Sequence, residues 1–365
     1  MTAFAERGTR LGRLVAERQL DLLLVTNLPN VRYLTGYSGT NGICLIGESE
    51  RIFATDFRYF ERMKAELHDY EVRRAKEDLL GLVGEVLAER ESEAPAKVGF
   101  DDAHLTVRQH AKLTEIVAGK AELVPAGGLV EELRAVKDRD EIESIRRATA
   151  IADEAYRWLI SDHGLTGHTE RAVALALERK AMDLGADGVS FPPIVAAAGN
   201  GALPHAEARD VEIPAGTLVI VDFGCRLDGY CSDCTRTFAT GELEAEAREA
   251  YELVREAQAA ALEAVGPGAD VREVDGVARR LIDAGGRKDQ FGHGTGHGVG
   301  LEVHEAPRIS PSGTGSLVAG NVVTIEPGVY VPDRFGVRIE DLVVVTADRH
   351  EVLTSVPKEL VTVAA

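Results

Sequence analysis

The chain has 365 residues, of which 45% are hydrophobic and 28% charged, an ordinary composition for a globular protein long enough for two domains. Its 60 acidic residues outnumber the 41 basic ones, and the formal charge of −19 argues against nucleic acids and membranes as partners. The beginning of the sequence is charged throughout, and no apolar run approaches the roughly 20 residues that span a bilayer, so we expect a cytoplasmic protein.

Four cysteines, Cys44, Cys225, Cys231 and Cys234, give no disulfide framework of the secreted type. The Cys231-x-x-Cys234 pair lies in YCSDCTRTF, which is predicted to be a strand, whereas redox pairs usually begin a helix. A zinc site would need a fourth soft ligand. We therefore expect small buried thiols.

Residues 1–128 are predicted to form an N-terminal α/β domain. Short apolar runs (LDLLLVT, ICLIG and RIFATD) predict strands, and the segments around 7–18 and 77–90 have helical spacing. NVRYLTGYSGTNG, rich in Gly, Ser and Asn, is predicted to be a loop that leaves a strand. The boundary is placed at PAGG, residues 125–128.

Residues 129–365 are predicted to form a second domain made of two passes through one plan. Its first helix begins at Asp138, which forms a capping box with Glu141. Each pass has two helices followed by strands, which suggests an internal duplication. The predicted helices lie near 139–161, 169–184, 243–265 and 271–284, and the strands near 190–198, 217–238, 291–304 and 321–346.

The first strand pair, LVIVDFGCRLDGYCSDCTRTF, contains two acids at unusual positions. Asp228-Gly229 is a strong two-residue turn signal, and a turn there pairs Asp222 with Thr235. Asp233 is then a diagonal neighbour of Asp222 on the same face. Asp222 interrupts an apolar run, and a buried carboxylate must be paired, protonated or bound to a metal.

The second strand pair repeats this feature, with Glu326 in NVVTIEPGVY and Glu340 in GVRIEDLVVV. Four carboxylates inside otherwise apolar strands are not explained as solvated surface residues, because each unpaired buried ion is costly. Between the pairs lies FGHGTGHGVGLEVHE, a glycine-rich run predicted to be strand-like, which carries His293, His297 and His304.

These motifs resemble the pita-bread metallopeptidases, the family of Xaa-Pro dipeptidase (prolidase), aminopeptidase P and methionine aminopeptidase. NVRYLTGYSGTN and ATDFRY resemble the creatinase/prolidase-type N-terminal domain. The resemblance implies an α/β (α+β) fold, with a mixed-sheet creatinase-like domain before a pita-bread domain of pseudo-twofold internal duplication. The motifs of the second domain that match are VDFG, SDCTRTF, HGTGHGVGLEVHE, TIEPGVY and VRIED.

The resemblance implies two divalent metal ions. Asp222 would bind one ion, and Asp233 and Glu340 would bridge both. His297 and Glu326 would complete the second ion. An oxygen-rich set of this kind favours manganese or cobalt, with zinc or iron as alternatives. The expected chemistry is attack on a peptide carbonyl by a hydroxide that bridges the two ions.

The same resemblance assigns roles around the metals. Glu326 would be the general base, and His304 and His205 would hold the substrate and stabilise the oxyanion. His293 would orient groups or shuttle protons. Arg338, two residues before Glu340, faces the same side and is expected to buttress the acids and contribute to substrate binding.

The substrate remains open between two proline-specific activities. Methionine aminopeptidases usually do not have this N-terminal domain or a counterpart of His293, and creatinase does not keep the metal ligands. Arg308 matches a position at which prolidases bind the carboxylate of Xaa-Pro, which favours a dipeptidase over aminopeptidase P. A catalytically inactive binding module is a more remote alternative. The resemblance also implies a homodimer, with NVRYLTGYSGTN as the candidate contact.

Overall fold

The computed structural model describes residues 2–76, 78–90 and 94–363. The chain divides into two compact units, Met1–Arg134 and Ala135–Ala365. Each unit combines helices with β-sheet, so the predicted α/β class is confirmed.

The first unit is built on one mixed sheet of six strands in the order β4-β3-β2-β1-β5-β6. β1 pairs antiparallel with β2 but parallel with β5, which makes the sheet mixed as expected. Its elements are α1 (Ala3–Glu17), β1 (Leu22–Val25), α2 (Leu28–Thr35), β2 (Gly42–Ile46), β3 (Arg51–Thr55), α3 (Phe60–Glu66), β4 (Glu71–Arg74), α4 (Gly81–Glu89), β5 (Ala96–Phe100), α5 (Val107–Val117) and β6 (Ala121–Pro125), with α6 (Leu129–Ala135) at its end.

One prediction in this unit was wrong: the first part of NVRYLTGYSGTNG is helix α2, not a loop. Pro29 occupies the first turn, where its missing N–H costs nothing, and Gly36 ends the helix in the left-handed conformation at φ 73°. Val31 and Leu34 are fully buried, so packing stabilises a helix that the polar composition obscured.

The division between the units falls after Arg134, beyond the boundary placed at residue 128. Helix α6 belongs to the first unit because a side-chain bridge ties it there. Asn30 donates to Glu131 Oε1 at 2.6 Å, and Arg134 Nη1 donates to Asn30 Oδ1 at 2.6 Å. Arg134 is 2% exposed, so this helix ends inside the packed part of the unit.

The second unit contains four long helices and thirteen strands within the described residues. The Asp138–Glu141 capping box is present at the start of its first helix, as predicted. The elements are α7 (Arg139–Trp158), α8 (Glu170–Asp183), β7 (Gly188–Val189), β8 (Ile194–Ala197), β9 (Leu218–Asp222), β10 (Cys225–Leu227), β11 (Tyr230–Cys231), β12 (Thr235–Ala239), α9 (Ala245–Glu263), α10 (Val271–Ala284), β13 (Gly296–Gly298), β14 (Glu305–Ile309), β15 (Val322–Ile325), β16 (Gly328–Val331), β17 (Phe335–Arg338), β18 (Asp341–Val345) and β19 (His350–Val352).

The element order of this unit repeats, and each pass has its own hydrophobic core. Helices α7 and α8 pack their apolar faces against the sheet β12-β9-β8. Helices α9 and α10 pack in the same way over strands β15, β17 and β18. Each core thus consists of a helix pair on one of the two strand pairs.

Both strand pairs are hairpins that keep one register across an interruption. In the first, Thr235 faces Asp222 and Arg226 faces Cys231, so the predicted pairing and the turn at Asp228-Gly229 are confirmed. In the second, β15 pairs with β18 and β16 with β17. Each hairpin therefore has an inner and an outer paired stretch with a break between them.

The described residues contain no helix with both the length and the apolar character that crossing a membrane would require. The four cysteines are free and buried, in agreement with the prediction of small core thiols. Burial raises the pKa of the Cys231 thiol to about 11 and that of Cys225 to about 12, so neither is a reactive thiolate at neutral pH.

Arg236 on β12 is a buried cation that holds the two hairpins together. Its side chain is 1% exposed, and Nη2 donates to Asp341 Oδ1 on β18 at 2.8 Å. The same guanidinium donates to the carbonyl oxygens of Val356, Pro357 and Thr235. The charge is thereby fully compensated inside the core.

We expect Arg236→Ala to lower the free energy of unfolding by about 3–5 kcal/mol, because it removes the fully buried partner of Asp341 and leaves only the partly exposed Lys358 to pair with that carboxylate. Urea unfolding of the metal-free protein, followed by circular dichroism, measures this loss. Arg255→Ala is the matched control: Arg255 is 42% exposed in a pair with Glu252, so its loss should stay below about 1 kcal/mol. Equal losses in the two variants would contradict the assignment.

Candidate active site

All the site residues predicted from the sequence line a single cavity of the second unit, with a volume of about 1350 Å³. These residues come from both hairpins, from the glycine-rich segment between them, from β14 and from the loop that precedes β9. They are Asp222, Asp233, His297, Glu326 and Glu340, with His205, His293, His304, Arg308 and Arg338.

The four acids lie at strand ends and breaks, as expected for Glu326 at the end of its strand but not for Glu340, which was predicted to lie inside a strand. Asp222 is the last residue of β9, and Asp233 lies between β11 and β12. Glu326 follows β15, and Glu340 lies between β17 and β18. Asp233, Glu326 and Glu340 therefore occupy the interruptions between paired stretches, and Asp222 borders one of them at the paired end of β9.

His297 lies in β13, a three-residue strand within a segment predicted to be strand-like from 291 to 304. The strand lies between β14 and β15, and both neighbours approach its backbone closely. A Cβ at Gly296 would lie 1.9 Å from the carbonyl oxygen of Thr324, and one at Gly298 would lie 2.1 Å from that of Ala306. Only glycine on both sides lets the backbone carry His297 between its neighbours.

The ring of His297 presents Nε2 to the acids. Nδ1 lies 3.1 Å from the carbonyl oxygen of Gly298, which fixes the ring and leaves Nε2 as the ligating atom. Nε2 is 3.2 Å from Glu326 Oε1 and 3.7 Å from Asp233 Oδ2. One ligand atom each of Asp233, His297 and Glu340 lies within 4.8 Å of the others.

The electrostatics of the acids show the cost of this arrangement. Burial, together with the negative charges of the neighbouring acids, raises the pKa of Asp233 and of Glu340 well above the usual range. Burial also raises the pKa of Asp222. For Glu326, burial is outweighed by the hydrogen bond and charge of His297, which lower its pKa to about 2.

The contact between His297 and Glu326 also changes the pKa of the histidine. Burial alone would lower the pKa of His297, but the hydrogen bond with Glu326 and the charges of Glu326 and Glu340 raise it to about 9. The protein on its own thus holds a proton on an imidazole that would have to be neutral as a metal ligand.

The residues present fit divalent metal ions. Asp222 Oδ1 and Asp233 Oδ1 are buried and have no hydrogen-bond partner among the described residues. Such atoms are rare in folded proteins unless an ion or water binds them. Four carboxylates and one imidazole form a hard donor set suited to manganese, cobalt, iron or zinc.

Arg338 supports the acidic cluster from within the protein. It is 3% exposed, and Nη2 donates to Asp222 Oδ2 at 2.8 Å. Nε donates to Thr235 Oγ1 at 3.1 Å and Nη1 to the Tyr330 hydroxyl at 2.8 Å. Thr235 in turn donates to Glu340 Oε2 at 2.7 Å. This position fits the expected buttress, whereas the substrate contact expected of Arg338 stays a prediction.

The other histidines of the cavity differ in their hydrogen bonding and in their exposure. His293 is engaged on both sides, with Nδ1 2.8 Å from the Gly294 carbonyl oxygen and Nε2 2.9 Å from the Tyr330 hydroxyl. Burial lowers its pKa, so it is neutral. His304 and His205 are exposed on the cavity wall, and the ring of His304 lies 4.4 Å from that of His297.

Tyr330 was not predicted, although it links His293 to Arg338. Arg338 pairs with Gly328 across the β16–β17 hairpin, so Tyr330 is its diagonal neighbour on the same face. The alternation of TIEPGVY and FGVR contained this signal. Alternation alone does not say which residues of the two strands lie opposite each other. That pairing depends on the turn between the strands, and the longer turn of this hairpin does not define it from the sequence.

Comparison with known proteins agrees with this geometry. The profile described as metallopeptidase family M24 matches residues 143–347, and that of the creatinase/prolidase N-terminal domain matches residues 7–136. The chain is 35% identical over 359 residues to the Xaa-Pro dipeptidase of Pyrococcus furiosus, covering 97% of this chain and 99% of the relative.

Two solved structures extend the comparison. The Xaa-Pro dipeptidase from Bacillus anthracis superimposes with a TM-score of 0.93 at 37% identity, covering 98% of this chain and 99% of that one. The X-Pro aminopeptidase from Thermotoga maritima gives a TM-score of 0.86 at 33% identity, covering 97% and 99%. The predicted pita-bread fold and peptidase class are confirmed, and the chain belongs to the metallopeptidase family M24, with a creatinase/prolidase N-terminal domain before the catalytic domain.

Proposed function

We propose that this metallopeptidase is an Xaa-Pro dipeptidase that works with two divalent metal ions, manganese or cobalt in the native enzyme, with zinc or iron as alternatives. The relatives from Pyrococcus furiosus and Bacillus anthracis carry this activity in their names. The observation that carries the choice of substrate is the placement of Arg308 in the cavity that contains the acidic cluster.

Arg308 lies on β14, directly opposite His297 in the β13–β14 register. The side chain is exposed on the cavity wall, and the described residues supply no carboxylate partner for it. An uncompensated guanidinium beside the ligand residues is suited to a substrate carboxylate, which it can bind through two parallel hydrogen bonds. A dipeptide has its carboxylate one residue from the scissile bond, which suits this short distance from the cluster.

A specific observation favours the second candidate, an Xaa-Pro aminopeptidase of the aminopeptidase P type that acts on longer peptides. The cavity volume of about 1350 Å³ exceeds the roughly 300–1,000 Å³ typical of small-molecule pockets. The chain is also similar to the Thermotoga maritima X-Pro aminopeptidase. A longer peptide would extend past Arg308 without using its charge.

Asp222, Asp233, His297, Glu326 and Glu340 would hold the two ions, and their four negative charges match two divalent cations. Bound there, the ions would lower the pKa of a water molecule and polarise the scissile carbonyl. Glu326 is one of these ligands and would lie beside a water held by the ions, and we assign it the acceptance of the water proton. His304 and His205, which are exposed on the cavity wall, would donate hydrogen bonds to the developing oxyanion.

Two further proposals come with this function. We propose a homodimer in which the segment NVRYLTGYSGTN contributes to the contact, as the resemblance implies. We also propose a cytoplasmic location, which is supported by four free buried thiols in a chain that lacks a disulfide framework.

Hydrolysis of Ala-Pro and of Ala-Pro-Ala by the manganese-loaded protein tests the proposal. Cleavage of Ala-Pro, with two ions bound per chain by metal analysis, is the expected result. Preferential cleavage of the tripeptide would establish the aminopeptidase instead. Cleavage of neither peptide by metal-loaded protein would leave an inactive binding module.

Arg308→Ala should raise KM for Ala-Pro about 10- to 150-fold with little change in kcat, because about 1.5–3 kcal/mol of charged hydrogen bonding to the carboxylate is lost. Steady-state kinetics of the wild type and the variant measure the change. Ala-Pro amide is the control substrate: it has no carboxylate, so both proteins should cleave it with similar KM. A similar loss on the amide would show that Arg308 does not bind the carboxylate.

Glu326→Gln should lower kcat by about 10²–10⁴-fold and leave most of the bound metal in place, since the amide keeps one oxygen but accepts no proton. Single-turnover rates and metal analysis of the same sample separate the two effects. A variant with bound metal and a near-normal rate would show that Glu326 is not the base.

A further inference from the structure

A buried carboxylate outside the ligand set connects helix α10 to the glycine-rich segment that carries His293 and His297. Asp275 lies on the apolar face of α10 among Val271, Val274 and Ala278 and is 2% exposed. The predicted chemistry makes no use of it. A buried carboxylate among apolar side chains is costly unless its hydrogen bonds are made, so its partners indicate what it does.

The partners of Asp275 lie in the glycine-rich segment and on α10 itself. Asp275 Oδ1 accepts hydrogen bonds from the Thr295 backbone N–H at 3.1 Å and from its hydroxyl at 2.9 Å. Arg279, one turn further along α10, donates to both carboxylate oxygens, at 2.8 and 2.9 Å. Thr295 itself is fully buried.

Arg279 extends this contact along the glycine-rich segment. Nη2 donates to the His293 carbonyl oxygen at 2.8 Å, and Nη1 donates to the Phe291 carbonyl oxygen at 3.1 Å. The guanidinium also lies over the Phe291 ring, 4.3 Å from its centroid. The Asp275–Arg279 pair therefore holds the backbone at Phe291, His293 and Thr295 against one helix.

Thr295 is also hydrogen-bonded to the second hairpin through its backbone. Its carbonyl oxygen accepts a hydrogen bond from the Glu326 backbone N–H at 2.7 Å, and His297 follows two residues later. His297 N–H donates to Thr324 Oγ1 at 3.1 Å, and that hydroxyl is 3.3 Å from Glu326 Oε1. The distance between His297 and Glu326 thus depends on where Thr295 lies.

We propose that Asp275, with Arg279, is a positioning residue that sets the spacing of His297 and Glu326 for metal binding. This inference rests on the proposed metal-dependent function. Asp275 touches neither the ligands' side chains nor the cavity, so it acts through the backbone at Thr295. Displacing that backbone would move one histidine and one carboxylate ligand together.

Asp275→Asn tests this with little change in shape. All the partners around the carboxylate are donors, so the amide NH₂ group must face an N–H or displace the Thr295 hydroxyl. We expect the metal affinity, measured by equilibrium competition with a chelator, to fall about 10- to 100-fold, as is typical when the groups that orient metal ligands are lost. In the metal-free protein, hydrogen exchange of a peptide spanning residues 291–297 should become faster.

Asp153→Asn is the matched control. Asp153 is 3% exposed and accepts hydrogen bonds from the Ser355 N–H and hydroxyl, the same pair of donors that Thr295 offers, but it has no contact with the site. The control should keep the metal affinity of the wild type, and urea unfolding records any loss of stability that either substitution causes. If Asp275→Asn does not fold, Arg279→Gln removes the bonds to the Phe291 and His293 carbonyl oxygens at a partly exposed position.

The outcomes separate the two proposals. Wild-type protein that binds no metal and cleaves no Xaa-Pro peptide would overturn the proposed function itself. Wild-type protein that does both, while the Asp275 and Arg279 variants keep its metal affinity and exchange rates, would overturn the positioning role alone. Equal losses of metal affinity in Asp275→Asn and Asp153→Asn would also overturn it, because a general loss of stability would then be the cause.

Discussion

The constraint on which the second unit depends is the repulsion among four carboxylates gathered in one buried cluster. Two unit charges about 4.8 Å apart repel by about 3–4 kcal/mol at an effective dielectric constant of about 20. Asp233 and Glu340 are at most this far apart through their nearest ligand atoms. Arg338 and the proton on His297 compensate only part of the charge. The cluster therefore stores an electrostatic cost that bound cations remove, and the surrounding fold has to hold the acids together until they bind.

The duplicated hairpins provide that restraint. An acid inside a continuous ladder lies on one of its two faces and can approach only the acids of that same face. At the break in each hairpin the pairing stops for a few residues, and the acids turn towards a common centre while β9 with β12, and β15 with β18, stay in register. Arg236 joins the hairpins on the side away from the cavity by pairing with Asp341. The arrangement is rigid because its parts are extended strands buried on both sides.

Features that depend on adjacent residues could be predicted from the sequence, whereas features that depend on tertiary packing could not. The Asp228-Gly229 turn and the Asp138–Glu141 capping box depend on adjacent residues, so both were found in the structure. Helix α2 was missed because polar residues hide its buried side. The role of Asp275 was not visible because an Asp–Arg pair four residues apart is usually a solvent-exposed pair on a helix surface. Only tertiary packing shows that this face of α10 is covered, with Thr295 against it.

The candidate metal ligands lie in tightly packed parts of the fold, whereas the candidate substrate contacts lie at exposed positions. This difference explains why the sequence defines the metal ligands better than the substrate contacts. The ligands lie in the hairpin breaks and in β13, where packing on both sides leaves little room for change. His205 and Arg308 lie in a loop and on the edge strand β14, exposed on the cavity wall. Exposed positions can change without disturbing the cluster. Relatives named as dipeptidases and as an aminopeptidase can therefore share one fold, and under the proposed function specificity follows from the charge that the wall offers to the end of the peptide.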